Sequence, residues 1–312
     1  MKKVLKKVAI AIVILLSVVL LIIGVALWFV FTPERLTPIV RKQAAQFITC
    51  KSEVGSVELT FFSTFPRFGL KVNQFALINP VPNAKSDTLV FVDELIGVVD
   101  VKAYWKHNDI VLNELIVRNG VVNAFIDSLG KTNFDITPPD TLPVDTASTQ
   151  QAFKLNIENV VLDGISLFYI DMQSKMLAEL KDLNAQLSGT MDSVNLTSNL
   201  RVTNSIVTFI MDKEPYLNDA KIKLKIPSTV VLSKSLVEFG DSEFSINDID
   251  LFFKGTIEDD SINKRINTNI EYRTNQFSVP TLIALIPPSF QSYVEGMTLE
   301  GMATSDGRIS GS

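Results

Sequence analysis

The chain has 312 residues, of which 29 are basic and 34 acidic, giving a formal net charge of −5. Residues 1–7 contain four lysines, and the charge without them is −9, which argues against nucleic acid as a partner and against electrostatic docking on anionic headgroups. Cys50 and His107 are the only residues of their types, so an internal disulfide and a multi-histidine metal site are excluded.

The N-terminal region predicts a membrane anchor. Residues 1–7 form a lysine-rich start, and the 24 residues of 8–31 carry no charge. A helix of that length is about 36 Å long, enough to cross a hydrocarbon core of about 30 Å. Because lysines favour the cytoplasmic side, residues 1–7 are predicted to be cytoplasmic and the rest of the chain to lie across the membrane. A cleaved signal peptide is the alternative, which the long apolar run disfavours.

Residues 32–47 predict a short helix beside the membrane. Thr32, Pro33 and Glu34 have the chemistry of a helix start, and the apolar side chains of the segment fall near one face. Such a helix is expected to cap whatever follows it.

From residue 51 to residue 273 the pattern predicts antiparallel sheet that is wet on one side. Apolar and polar residues alternate in several segments, as the side chains of a half-buried strand do. An apolar face of this kind must pack on another sheet, curl on itself or bind lipid. The clearest apolar positions, and the candidates for a lipid groove in the last case, are Leu183, Leu187, Ile222, Leu224, Ile226, Leu251 and Phe253. The alternating lysines at 221, 223 and 225 predict a solvated face.

The sheet region divides into two predicted β units, 48–136 and 151–275, separated by a loop at 137–150 that is rich in proline and threonine. An internal repeat with an offset of 44 residues supports stacked β units. Gly120 in the first copy corresponds to Gly164 in the second, and each is predicted to form a tight hairpin turn.

The last part of the chain predicts a helical segment at 276–297 and the start of a further β unit at 298–312. Because the pattern breaks off there, we expect this sequence to be the N-terminal part of a longer protein.

No catalytic motif or cofactor site is evident, and we expect neither enzymatic activity nor a cofactor. The recurring Asp127 and Asp171 are expected to cap backbone amides in turns. The membrane-proximal cluster Phe61, Phe62 and Phe65 is either ordinary sheet core or an apolar contact to lipid or a partner.

Four segments carry a resemblance to a known family. They are residues 65–70 (FPRFGL), residues 113–117 (NELIV), residues 126–134 with an Asp-x-x-Gly-x-x-Asn feature, and residues 279–287 (VPTLIALIP). With the anchor and the TPERL helix start, this order resembles the AsmA family of envelope proteins.

The resemblance implies a long, curved β-sheet open as a groove, related to bridge-like lipid-transfer proteins. It also implies a single-pass bacterial inner-membrane protein with a periplasmic sheet, which moves phospholipid toward the outer membrane. An envelope scaffold that assists outer-membrane protein assembly, with the groove only a packed core, stays open as the alternative. The fold class expected is therefore mainly β: an N-terminal transmembrane helix, an elongated antiparallel sheet and short capping helices.

Overall fold

The computed structural model describes residues 32–60, 68–82, 84–99, 110–137, 153–191, 194–260 and 265–311. The chain is mainly β, as predicted, and its strands form one long, curved sheet with few short helices. The predicted anchor at 8–31, the cluster Phe61, Phe62 and Phe65, and His107 lie outside the described residues.

The first half of the chain contributes one helix and five strands. These are α1 (Pro33–Phe47), β1 (Ser52–Thr60), β2 (Phe68–Ile78), β3 (Thr88–Val99), β4 (Ile110–Ile126) and β5 (Phe153–Asp171). The second half begins with six more strands: β6 (Met176–Met191), β7 (Asn195–Met211), β8 (Glu214–Val231), β9 (Leu236–Ile246), β10 (Ile249–Asp260) and β11 (Arg265–Thr274). A 3₁₀ turn, Leu232–Lys234, connects β8 to β9.

A short insertion follows β11, and its two strands pair with each other in a separate two-stranded sheet. It comprises β12 (Phe277–Ser278), α2 (Val279–Ile283), a 3₁₀ helix (Pro288–Tyr293) and β13 (Met302–Ala303), before β14 (Asp306–Gly311). The segment predicted as helical at 276–297 is therefore only partly helical. β14 pairs with β11, so residues predicted to start a further β unit extend the same sheet.

Twelve strands form the sheet in the order β1 to β11 followed by β14. Neighbouring strands are antiparallel at every step except one, because β4 and β5 pair in parallel. The antiparallel prediction is wrong at that step. A parallel neighbour needs a long crossover connection, and residues 127–152, which include the predicted loop at 137–150, provide it.

The internal repeat corresponds to two neighbouring strands and not, as predicted, to two hairpins in stacked β units. Its two copies are the neighbouring strands β4 and β5, which pair along their length, so the two predicted β units are joined side by side. The hairpins predicted at Gly120 and Gly164 are wrong, since both glycines lie inside strands. Gly164 has a φ of 65° without reversing the chain.

Helix α1 lies across the first edge of the sheet, and its predicted span is confirmed. Leu36 packs with Val54, Val57 and Val72 in the buried cluster of the fold. Thr37 Oγ1 accepts a hydrogen bond from Val57 N at 3.0 Å, and the Arg41 guanidinium donates to Val54 O at 2.9 Å. Two backbone groups of an edge strand that would otherwise be open are thus occupied by the helix.

A seam of left-handed residues crosses the middle of the early strands. Gln74, Asn119, Gly164 and Asp182 have φ values of 53°, 50°, 65° and 52°. Because Asn73 pairs with Glu94 and Phe75 with Val92, Gln74 lies opposite Asp93, and the flanking pairs likewise place Asp93 opposite Asn119 and Asn119 opposite Gly164. Gln74, Asp93, Asn119 and Gly164 form one line perpendicular to β2–β5, which we call the seam, and Asp182 lies near its end in β6.

The seam changes the spacing of apolar residues from two to three. Val72 and Phe75, for example, pack in the same cluster although two polar residues, Asn73 and the left-handed Gln74, separate them. A residue in the left-handed region disturbs strict alternation and bends the strand, as in a β-bulge. The apolar side chains consequently stay on one face on both sides of the seam.

The seam predicts opposite effects for two glycine substitutions. A side chain in the left-handed region costs about 1–2 kcal/mol, so Gln74→Gly should raise the free energy of unfolding by about 1 kcal/mol. Asp93→Gly is the matched control on the same line, because Asp93 is not among the residues of positive φ and should lose about 0.5–1 kcal/mol. Denaturant unfolding of the detergent-solubilised chain, followed by circular dichroism, measures both. Equal destabilisation by the two variants would contradict the role of the seam.

Candidate functional site

One face of the sheet carries a row of apolar side chains that crosses ten strands without interruption. Each member is paired directly with the next in the sheet register. From β1 to β10 the row consists of Val57, Val72, Leu95, Val117, Leu162, Ala185, Val202, Leu224, Phe244 and Leu251. Paired residues point to the same side of a sheet, so this row is a continuous stripe perpendicular to the strands. At a strand spacing of about 4.8 Å it is about 43 Å long.

Two further rows of the same kind run beside it. One joins eight strands through Leu59, Leu70, Gly97, Leu115, Val160, Leu187, Leu200 and Ile226. The other joins seven strands through Leu77, Val90, Val122, Leu167, Leu180, Val207 and Ala220. Together the three rows define the surface that we call the apolar face.

All seven residues that the sequence suggested for a groove lie on the apolar face. Leu187, Ile226, Leu224 and Leu251 are members of the rows above. The other three are in register with apolar neighbours or follow them on the same side: Leu183 pairs with Ile165, Ile222 with Ile246, and Phe253 lies two residues after Leu251. The ring of Phe253 also contacts that of Phe239, with centroids 5.9 Å apart.

The apolar face is covered only at its first strands. Helix α1 packs over Val54, Val57 and Val72, and Leu95 touches the same cluster. In the described part of the chain no second sheet or helical layer packs over the rows from β4 to β8. Leu187 accordingly remains 45% exposed.

The opposite face is polar in the line of residues next to the seam. There Ser56, Asn73, Glu94, Arg118 and Asp163 succeed one another in register. Arg118 forms ion pairs with Glu94 at 3.1 Å and with Asp163 at 3.8 Å. The hydrogen bond from Arg118 holds the pKa of Glu94 below its ordinary value. This belt of charge shows that the two faces of the sheet are chemically distinct.

The opposite face is nevertheless not polar everywhere. Ile96 and Val98 are buried on it, and Ile96 pairs with Ile116. Farther along, the polar character returns, with Lys225 paired to Glu243 at 3.1 Å and the Arg273 guanidinium over the ring of Phe252. The exposed lysines at 221 and 223 confirm the solvated side of β8.

The two recurring aspartates cap turns, as predicted. Asp127 Oδ1 accepts hydrogen bonds from Leu129 N at 2.8 Å and Lys131 N at 2.9 Å. Asp171 Oδ1 accepts from Gln173 N and Ser174 N, and the hydrogen bonds of Ser174 lower the pKa of Asp171. These contacts give both carboxylates a structural role in the turns that follow β4 and β5.

The last residue of the Asp-x-x-Gly-x-x-Asn feature, Asn133, is buried. Gly130 has a φ of 82°, and Asn133 is fully buried. Asn133 Oδ1 accepts a hydrogen bond from Phe125 N, and its Nδ2 donates to Asn123 O, both at 2.8 Å. The motif therefore folds residues 127–133 back onto the end of β4.

Other chemistry is sparse in the described residues. Within them, no group of three or more His, Cys, Asp or Glu side chains could hold a metal ion. Cys50 is half-buried, and that burial raises the pKa of its thiol. Among the helices that the structure describes, none has the length and apolar character needed to cross a membrane.

Comparisons with known proteins found no match among family models, curated proteins or solved structures. Membership of the AsmA family therefore stays a prediction from the quoted segments.

Sequence reasoning missed the continuity of the rows and the seam that preserves it. The available signal was the recurrence of two adjacent polar residues inside an apolar pattern, as in Asp93-Glu94, Arg118-Asn119 and Lys181-Asp182. Such a pair marks a position after which the apolar residues return to the same face of the sheet instead of changing to the other face.

The buried asparagine gives a prediction about stability. Asn133→Ala leaves the buried N–H of Phe125 without its acceptor, so the free energy of unfolding should fall by about 2–3 kcal/mol. Asp127→Ala is the control in the same turn. It removes a cap from exposed amides and should cost only about 1 kcal/mol. Denaturant unfolding compares the two, and an equal loss would contradict the anchoring role of Asn133.

Proposed function

We propose that the apolar face binds the acyl chains of phospholipids and that the chain acts as a membrane-anchored lipid conduit without enzymatic activity. The observation that carries the proposal is the unbroken row from Val57 to Leu251 on a face that lacks a second layer among the described residues. A surface of this extent marks an interaction site in a folded protein.

The energetics favour an apolar ligand. Burying one Leu or Val side chain is worth about 1.5–3 kcal/mol. Of the 20 Leu and Val side chains in the three rows only Val57, Val72, Leu77 and Val202 are buried, so the others are costly to leave in water. An acyl chain gains about 0.8 kcal/mol for each buried CH₂ group. Transfer of a lipid from a bilayer to this face exchanges one apolar environment for another and needs no catalytic residue.

The dimensions suit more than one lipid. One leaflet accounts for half of a hydrocarbon core of about 30 Å, whereas the longest row measures about 43 Å. Acyl chains of successive lipids could therefore lie along the rows. Crossing a whole cell envelope would need more strands, from a longer chain or from partners.

The proposed location follows from the N-terminal sequence. Residues 8–31 end immediately before the start of α1, which itself covers the first strands of the apolar face. We propose that this segment anchors the chain in a bacterial inner membrane, with residues 1–7 cytoplasmic and the sheet in the periplasm. The resemblance to the AsmA family supports a contribution to phospholipid transport toward the outer membrane.

Photocrosslinking of the full chain in an expression host tests whether lipid occupies the face. We expect p-benzoylphenylalanine in place of Leu224 to yield phospholipid adducts detectable by mass spectrometry. The same group in place of Lys223, the adjacent residue on the exposed opposite side, should yield few. Equal adducts at both positions, or none at Leu224, would count against a lipid-binding face.

A charge on the apolar face separates the conduit from the scaffold alternative. Because Leu224 is only half-buried and no layer of the described residues covers it, Leu224→Glu should leave the chain folded while reducing co-purified phospholipid severalfold. Lys223→Glu is the matched control and should retain lipid. Circular dichroism and lipid analysis give the two readouts. Unfolding by Leu224→Glu, with Lys223→Glu intact, would instead favour a closed core and a scaffold that carries no lipid.

A further inference from the structure

One long side of the sheet ends in a series of connected turns. Residues 127–131 follow β4, residues 172–175 join β5 to β6, and Asp212 and Lys213 join β7 to β8. Hydrogen bonds link the first two turns through Met172 N and Ile126 O, and the last two through Asp212 N and Lys175 O, each at 3.0 Å. We call these three turns, with the 3₁₀ helix Pro288–Tyr293, the rim.

The 3₁₀ helix belongs to the rim through one contact. The N–H of Ser289 donates to Glu214 Oε1, at the start of β8, at 2.7 Å. This bond joins the insertion after β11 to the β7–β8 turn. The rim is therefore a continuous ridge along the ends of β4 to β8.

Each part of the rim exposes large apolar side chains. Leu129 is 90% exposed and Met172 53%, and Met211 lies beside the third turn. On the 3₁₀ helix Tyr293 is 72% exposed and stacks on the exposed Phe290, with ring centroids 6.5 Å apart. Turns of adjacent hairpins are two strand widths, about 10 Å, apart. The apolar groups are thus separate projecting tips, unlike the contiguous patch of a protein interface core.

Each turn also presents a lysine to solvent. Lys131 and Lys213 are exposed; Lys175 is exposed too, but its ammonium forms an ion pair at 3.0 Å with the carboxylate of Asp212 in the next turn. The carboxylates of the first two turns, Asp127 and Asp171, instead accept hydrogen bonds from the backbone of their own turns. The ammonium groups of Lys131 and Lys213 therefore stand beside apolar tips, while the carboxylates of Asp127 and Asp171 are engaged by their own turns and that of Asp212 by Lys175.

From this arrangement we infer that the rim rests on the surface of a zwitterionic phospholipid bilayer. The apolar tips reach the acyl boundary, and the lysine ammonium groups lie at the depth of the lipid phosphates, as lysines at membrane interfaces do. The net charge of −9 beyond residue 7 opposes attraction to strongly anionic surfaces, so insertion of the tips provides the main attraction. This inference does not rest on lipid binding by the apolar face, because rim and face are different surfaces.

Fluorescence quenching by lipid tests the contact. In a Cys50→Ser background, the full chain carries an environment-sensitive fluorophore at Leu129→Cys or Met172→Cys and is reconstituted in nanodiscs. Dibrominated phosphatidylcholine is placed either in the nanodisc or in separately added vesicles. We expect quenching at both rim positions in at least one arrangement and none at Lys223→Cys. Absence of quenching at the rim in both arrangements would overturn the inference.

Removing the apolar tips tests whether the rim makes the contact with the bilayer. The triple variant Leu129→Ser, Met172→Ser and Met211→Ser should weaken vesicle capture, or quenching of a label at Ser128→Cys, by at least about tenfold. Leu232→Ser, at a turn on the opposite side of the sheet, is the matched control and should have no effect. Because Leu129 is 90% exposed, its replacement leaves the fold intact. Equal effects of both variants, or crosslinks from the labelled rim to a second protein without quenching, would overturn the assignment.

Discussion

The structure depends on one constraint: a single-layered sheet holds its strands together by hydrogen bonds but cannot bury its own apolar face. In an ordinary domain a second layer completes the core. Here α1 covers only the first strands, and rows of apolar side chains continue beyond it to β10. In the proposed function the hydrogen bonds between strands give the sheet its shape and the apolar face binds lipid, so stability and ligand binding depend on different interactions in the same strands.

The sequence predicted much of this arrangement because alternation is a local property. Lysines alternating with Ile222, Leu224 and Ile226 define the two sides of β8 without any knowledge of its neighbours. The start of α1 can likewise be predicted from its first residues alone. Pairing is not local. The parallel step between β4 and β5 was missed because nothing within either strand records which neighbour it meets or in which direction.

The glycines of the repeat failed as turn signals for a related reason. Gly164 has the positive φ that a hairpin requires, but it uses that conformation inside a strand, opposite Asn119. The seam to which it belongs keeps the apolar rows on one side of strands of up to 19 residues, while the other side of β5 carries Asp163 together with Val161, Phe168 and Ile170. A left-handed residue thus lets the apolar side chains stay on one face of a long strand even where strict alternation of apolar and polar residues is interrupted.

The contacts of α1 with β1 also give the sheet a direction. Thr37 and Arg41 occupy backbone groups of the first strand, whereas β14 at the other edge is exposed throughout. The two ends of the sheet are therefore not equivalent, much as a filament with one capped end elongates only from the other. Strands added beside β14 would lengthen the sheet without altering the end nearest the N-terminal segment.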